Sequence, residues 1–490
     1  MSVDPIFPSN YVLAQVSETL FDFDYTGKQP RLIFVPAKSY EWNDPNNPTE
    51  LTCSLRRGVK FHDGTPFNAT AVKWNIDRIH RLVEFWLEYL LQLPDGRWII
   101  NETQVVDEYT VKFVLNEPYV PFLHLLTHTI TSILSPKSTP ANKTINLNTD
   151  ILVGTGPFIY EGYEPHINLT LTPNTNYWTK KPNVDQLVFK FYEDTTEGED
   201  LWNAFLAKEI SILHPSYHIL YPNSSIQTLK NEPGITVREY SPIQYFFIGI
   251  NNELINLTMR KAISYAINYT YQVEEVLPNR MIKARSPIPE GILYSNTVDF
   301  NVPYYNISLA RQILKDAGWP GTSNLTANDD ISSGNEWEML VTNETPLATY
   351  TFDMMYGIPS SEGMGLATDK LKQIGVKVIP EDWEAPFQLF TFGWNYDYND
   401  PHNGMIDYYS KTNYEHMNDS LIDQWIEEGM KETNATLREE IYYEIQKRLI
   451  EELYPVILIS SRISILSYVS NLKGLQPNPF KMVLKDVYFI

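Results

Sequence analysis

At 490 residues the chain is longer than a single hydrophobic core sustains, so two or more lobes are expected. Its 43% hydrophobic and 20% charged residues are ordinary globular usage, which excludes a disordered or fibrous chain. A formal net charge of -22, with basic clusters no longer than Arg56, Arg57 and Lys60, excludes a nucleic-acid partner, which would need a track of Lys and Arg.

In chain order, residues 1–50 read as strand-like pieces broken by Pro and Asn. Met1 does not open a signal peptide, because Asp4, Pro5 and Pro8 replace the basic and apolar regions, so a leader or anchor is expected to be absent from this chain. Leu51 to Lys60 leads into the turn Phe61-His62-Asp63-Gly64-Thr65-Pro66, and Cys53 within it reads as a buried small hydrophobe. Asn68 or Thr70 then caps a helix whose apolar stripe is Val72, Ile76, Ile79, Val83 and Leu87. Tyr109, Val111, Phe113 and Leu115 alternate with polar residues as in a half-buried strand. Gly154-Thr155-Gly156-Pro157 opens a strand-rich section that runs through Leu169, Leu171, Leu187 and Phe189 to Tyr245–Asn251.

Beyond Asn251 the pattern turns helical. Ile263, Ala266 and Ile267 form one stripe; Leu309, Ile313 and Ala317 form another, capped by Ser308 and stopped by Gly318. A late helix carrying Ile441, Ile445, Leu449 and Leu453 ends before Pro455. The apolar stretch Tyr454–Val469 is interrupted by Arg462, and no stretch reaches the roughly 18 apolar residues that span a bilayer. Strands and helices mix throughout, as in an α/β protein of several lobes.

The common catalytic signatures are missing: there is no phosphate loop, GxGxxG, HExxH, GxSxG or EF-hand loop. Cys53 is the only cysteine, which rules out an internal disulfide and a Cys-ligated zinc site. His124 and His128 read as a helix face rather than metal ligands. Asn-X-Ser/Thr occurs twelve times, from Asn68 to Asn434, more often than this composition gives by chance, and glycosylation acceptors point outside the cytoplasm. The 32 Tyr, 11 Trp and 22 Phe supply ample material for an aromatic-lined pocket.

Several segments, in order and spread over nearly the whole chain, resemble one family. They are Leu55–Phe67 (LRRGVKFHDGTPF), Gly154–Phe158 (GTGPF), Asn174–Trp178 (NTNYW), Arg260–Asn268 (RKAISYAIN), Ala310–Trp319 (ARQILKDAGW) and Lys473–Pro479 (KGLQPNP). The chain is similar to the family 5 extracellular solute-binding proteins of ABC importers, which include oligopeptide-, dipeptide- and nickel-binding members. The resemblance implies a periplasmic-binding-protein-like type II α/β fold with two main lobes, an extra third domain and a cleft closed by a hinge. Lobe I would hold residues 1–39, 153–244 and 470–490, lobe II residues 40–152 and lobe III residues 245–469. Tyr245–Asn251 and the region before Leu472 would be the hinge crossings. It also implies a monomeric, non-catalytic protein without cofactor or metal, outside the cell or on its surface, passing ligand to ABC permease membrane subunits; the Asn-X-Ser/Thr sequences add the expectation that it is N-glycosylated.

In peptide-binding members an aspartate in a Trp-X-X-Asp segment pairs with the ligand's α-ammonium, and this chain keeps Trp394 and Asp397 at that spacing. Asp397 is thus the expected charge anchor, with Trp394, Asn395, Tyr396 and Tyr245 lining the site. The alternative is that Asp397, Asn399 and Asp400 only form a turn before Pro401. Between Val378 and Trp394 the chain is shorter than the family pattern, and Gln388 stands where many members carry an aspartate. Some members, notably archaeal ones, bind oligosaccharides, so a sugar is the alternative to an oligopeptide. A secreted hydrolase is the reading from a different class.

Overall fold

The computed structural model describes residues 10–27, 30–83, 85–192, 199–213, 223–268, 270, 273–274, 281–295, 300–353, 369–380 and 387–490. Two compact units divide the chain. The first comprises Met1–Glu239, Met430–Thr433 and Ile465–Ile490, and the second Tyr240–Gly429 and Asn434–Ser464. No helix among the described residues is long and apolar enough to cross a membrane.

In the first unit, an antiparallel sheet has the spatial order Ala37–Trp42, Glu50–Leu55, Thr110–Leu115, Ile100–Asp107. Leu51, Cys53 and Leu55 alternate inward, with Leu51 opposite Phe113 and Cys53 opposite Val111, so one face is core and the other half-exposed. The helix Ala69–Leu82 packs Val72, Ile76 and Ile79 inward, and the Asn68 side chain accepts the Ala71 N–H at its start. It stops earlier than its apolar stripe suggests. Val83 is already extended, with ψ 133°, and Leu87 belongs to a separate short helix, Phe85–Glu88.

The second unit is organised by a six-stranded sheet in the order Met281–Lys283, Val456–Arg462, Gln244–Ile250, Leu389–Asn395, Ala348–Asp353, Val376–Pro380. Gln244–Ile250 runs antiparallel to both neighbours and every one of its residues is buried. Both its faces are therefore covered. Phe246, Ile248 and Ile250 join Met259, Ile263, Ala310, Leu314 and Trp337 in the core under the helices Leu257–Ala266 and Ile307–Asp316. The other face carries Tyr245 and Phe247 and meets Phe390, Phe392 and Trp394 of the neighbouring strand.

The helix Ile307–Asp316 begins two residues earlier than expected. Its cap is Asn306, which accepts the Leu309 N–H at 2.9 Å, while Ser308 donates its hydroxyl to the Asn306 side chain. Ile307, Ala310, Arg311 and Leu314 are its buried residues, and Ala317 is the C-cap before Gly318 at φ +64°. The late helix Ala435–Arg448 runs on through a π turn, Leu449–Leu453, and ends in left-handed Tyr454 ahead of Pro455. Asn68, Asn256, Asn306 and Asn434 all cap helices, so four of the twelve Asn-X-Ser/Thr sequences also serve helix starts.

Candidate functional site

The long sequence motifs hold loops together. Asp63 accepts from the hydroxyls of Thr65, Ser135 and Ser138 and from the Thr65 N–H. Burial pushes its carboxyl up, but these donors outweigh it and hold the group down at about 2. His62 bridges to the Gly154 and Gly156 carbonyls. Gly154 and Gly156 lie against the backbone of Val16, where a Cβ on Gly154 would come within 2.2 Å of the Val16 oxygen. Glu18 gathers three motif residues, accepting from Thr155, Tyr177 and Trp178 at 2.7, 2.6 and 2.8 Å. Arg260 and Arg311 are buried and spend their guanidinium groups on backbone carbonyls and amides such as Leu453 O, Ile255 O and Gln373 O. His128 accepts the Ile130 N–H, and no metal-ligand cluster occurs among the described residues.

The Trp394 segment is built differently. It is the end of the strand Leu389–Asn395, with Trp394 directly opposite Tyr245 and Asn395 opposite Gln244. Trp394 and Asp397 are half-buried and Asn395 is exposed. Tyr245 and Tyr396 lie beneath them, 1% and 0% exposed. The Tyr245 hydroxyl is 3.1 Å from that of Tyr408, and the Tyr396 hydroxyl donates to Pro287 O at 2.9 Å. Gly404 makes room for the Tyr396 ring; a Cβ there would lie 2.4 Å from the phenol.

The turn after Trp394 divides its polar residues between two tasks. Asp400 forms a bidentate pair with Arg438, both bonds 2.8 Å, at 0% and 3% side-chain exposure. It also accepts the His402 N–H, and Asn399 accepts the Leu293 N–H. Those two residues are scaffold. The Asp397 N–H is fixed by Asn403 at 2.7 Å, while its side chain stays near the surface within electrostatic reach of Asp407. Gln388 accepts the Thr351 N–H and presents its carbonyl to Asn251, so it extends the start of an interior strand between its two neighbours. Residues 381–386 of the shortened stretch lie outside those described.

Sequence reasoning missed two further acids. Asp407 and Glu415 are brought to the Tyr245–Tyr408 hydroxyl pair by the segment 405–419. Burial pushes the Glu415 carboxyl up to about 8; burial, with the Glu415 and Asp397 carboxylates, holds Asp407 well above the usual carboxylate range. The signal available was the adjacency of acid and aromatic in Asp407-Tyr408 and Tyr414-Glu415, a different spacing from that of Trp394-X-X-Asp397.

Against known proteins, residues 34–416 match the family model described as bacterial extracellular solute-binding proteins, family 5 Middle. The chain is 24% identical over 474 residues to a probable D,D-dipeptide-binding periplasmic protein, DdpA, of Escherichia coli K12, covering 92% of this chain and 83% of that one. It is 26% identical over 411 residues to the glutathione-binding protein GsiB of Pectobacterium atrosepticum, covering 78% and 72%. Among solved structures, a dipeptide binding protein from Pseudoalteromonas sp. SM9913 in complex with Met-Leu superposes with a TM-score of 0.76 at 19% identity, covering 100% and 98%. The fold is thus the type II α/β fold of the periplasmic binding proteins. The chain belongs to the family 5 extracellular solute-binding proteins of ABC importers, ligand binders rather than enzymes, which work in the periplasm or outside the cell.

Proposed function

We propose that this chain captures short peptides by their amino end and delivers them to an ABC permease, with Asp397 as the partner of the α-ammonium. The observation that carries the reading is the placement of Trp394 and Asp397: both are half-buried at the end of the strand Leu389–Asn395, and the Asp397 backbone N–H is fixed by Asn403. A desolvated ammonium requires such an acid, because unpaired it is costly to bury. Trp394 and Asn395 would touch the ligand, with Tyr245 and Tyr396 fixing the wall behind them. The peptide-binding names of the relatives point the same way.

The same reading divides the chain into lobes I (1–39, 153–244 and 470–490), II (40–152) and III (245–469), which hinge to close on the ligand. The protein works as a monomer, and exposed acceptors such as Asn101, Asn142 and Asn343 carry glycans. Intact-mass measurement of protein from its natural host reads the glycans directly.

Calorimetry with tri-alanine tests the anchor. Asp397→Asn should weaken binding by about 2–5 kcal/mol, the range for removing one partner of a buried charge pair. Acetylating the peptide's amine should remove most of that difference. Equal affinity of both proteins for the free-amine peptide would return the segment to a turn. A melting temperature raised by maltotriose but not by tri-alanine would transfer the reading to oligosaccharides, for which the half-buried rings of Phe392 and Trp394 would be the stacking surface.

A further inference from the structure

Asp407 and Glu415 are acids to which no other described residue brings a donor. Glu415 is 4% exposed, and among the described residues its carboxylate meets only its own backbone N–H. Asp407 receives no hydrogen bond from any described residue, and the charges acting on it are the Glu415 and Asp397 carboxylates. No Lys, Arg or His among the described residues acts on either. The other titratable groups facing them are the phenols of Tyr245, Tyr408 and Tyr414, each influenced by both acids, and that of Tyr396, influenced by Asp407. Elsewhere in the same unit a buried acid has its cation, as Asp400 has Arg438.

The arrangement is held in place. Asn413 donates to Tyr409 O and Met417 O and accepts the Met417 N–H, and Glu415 O takes two bonds from Asn252. Asp419, at the end of the loop, pairs with Arg448 at 2.7 Å. Next to Glu415 in the chain, Tyr414 joins an aromatic cluster: the Phe392 ring lies 6.2 Å from Trp394 and 6.0 Å from Tyr414, and Tyr414 is 48% exposed. A buried and a half-buried carboxylate in a segment that also packs an exposed ring, with no cation from the described residues, match a cationic guest, which both the carboxylates and the ring faces attract.

We infer that Asp407 and Glu415, with Phe392, Trp394 and Tyr414, form a second cation subsite beside Asp397, selecting peptides that carry a basic side chain at or next to their amino end. This rests on the peptide reading above. Because both carboxyls hold protons above the usual range when no ligand is present, a lysine or arginine side chain entering the subsite must displace a proton from one of them. Each O–H bond that breaks releases its proton to solvent, leaving the carboxylate to pair with the guest.

The test is calorimetry on the whole chain at pH 6.5 with tri-alanine, Lys-Ala-Ala and Ala-Lys-Ala, each in phosphate and in Tris. The two buffers differ in ionisation enthalpy and so report proton release. The better lysine peptide should bind at least tenfold tighter than tri-alanine and release about one proton more. Glu415→Gln, and separately Asp407→Asn, should reduce the lysine-to-alanine affinity ratio at least tenfold and remove that extra proton. If tri-alanine binds and neither lysine peptide is preferred, or if both variants keep the ratio and the proton count, the subsite is overturned while the peptide reading stands. If none of the three peptides binds, the peptide reading fails and the subsite with it.

Discussion

Asp400 and Glu415 are both buried acids in one stretch of the second unit, and the fold treats them in opposite ways. Asp400 receives the two arms of the Arg438 guanidinium, whose remaining donors reach Gly429 O and the Tyr442 hydroxyl. Glu415 is pinned through its backbone and left without a donor from any described side chain. A carboxylate with a bidentate partner is spent on holding the chain; one positioned and left unmatched retains its capacity for something that arrives from outside. The difference separates scaffold from site more sharply than burial does, since both residues are at least nine-tenths hidden.

The largest expected effect comes from breaking the satisfied pair. Arg438→Met strands Asp400 and should cost about 3–5 kcal/mol in urea unfolding, and adding Asp400→Leu should restore most of it. Glu415→Gln should do the reverse and stabilise. The folded carboxyl titrates near 8, above its ordinary 4.5, so its contribution to stability is present below about 4.5 and lost as pH rises towards 8. The variant should therefore gain on the order of 2–4 kcal/mol at pH 8 and almost nothing at pH 4.

His402, against the Asp400 pair, should show the opposite pH sign. Burial holds its imidazole down at about 4, so the unfolded chain takes up a proton first and stability falls as pH drops from about 6.5 towards 4. Replacing it, as in His402→Gln, should flatten that acid limb, by up to about 3 kcal/mol in the slope-corrected difference. The smallest effect is at the hydroxyl pair. Tyr245→Phe leaves Tyr408 short of one partner and should cost about 0.5–1.5 kcal/mol, read as a modest shift in the urea midpoint.

The sequence carried the strands of the first sheet plainly, because Leu51, Cys53 and Leu55 and their partners alternate without interruption. Helix ends were less legible. Asn306 and Ser308 are both capping types, and only the backbone geometry decides that Asn306 takes the cap while Ser308 bonds to it. The stripe from Val72 to Leu87 ran past the true end because apolar spacing continues across the extended Val83. Trp394-X-X-Asp397 stood out as a short local pattern, yet the separate tasks of Asp397 and Asp400 depend on Arg438, which no spacing connects to them. Asp407 and Glu415 stayed hidden for the same reason: they reach the Tyr245 strand only through the fold, where Asn252 bonds to Glu415 across 163 positions.

Gln15 has a consequence for how the chain is made. Its amide donates to Met482 O at 2.7 Å and its side-chain oxygen receives the Leu484 N–H, while Lys481 pairs with Asp22 at 2.9 Å. The strand Ser464–Val469 likewise enters between Ile212–Leu213 and Ile235–Tyr240 to complete their sheet. During synthesis Gln15 and Asp22 must therefore wait for these partners until residues 464–484 have left the ribosome. The second unit waits almost as long, because Val456–Arg462 fills the place between Met281–Lys283 and Gln244–Ile250 in its sheet. Contacts this far apart in sequence make closure of both units slow.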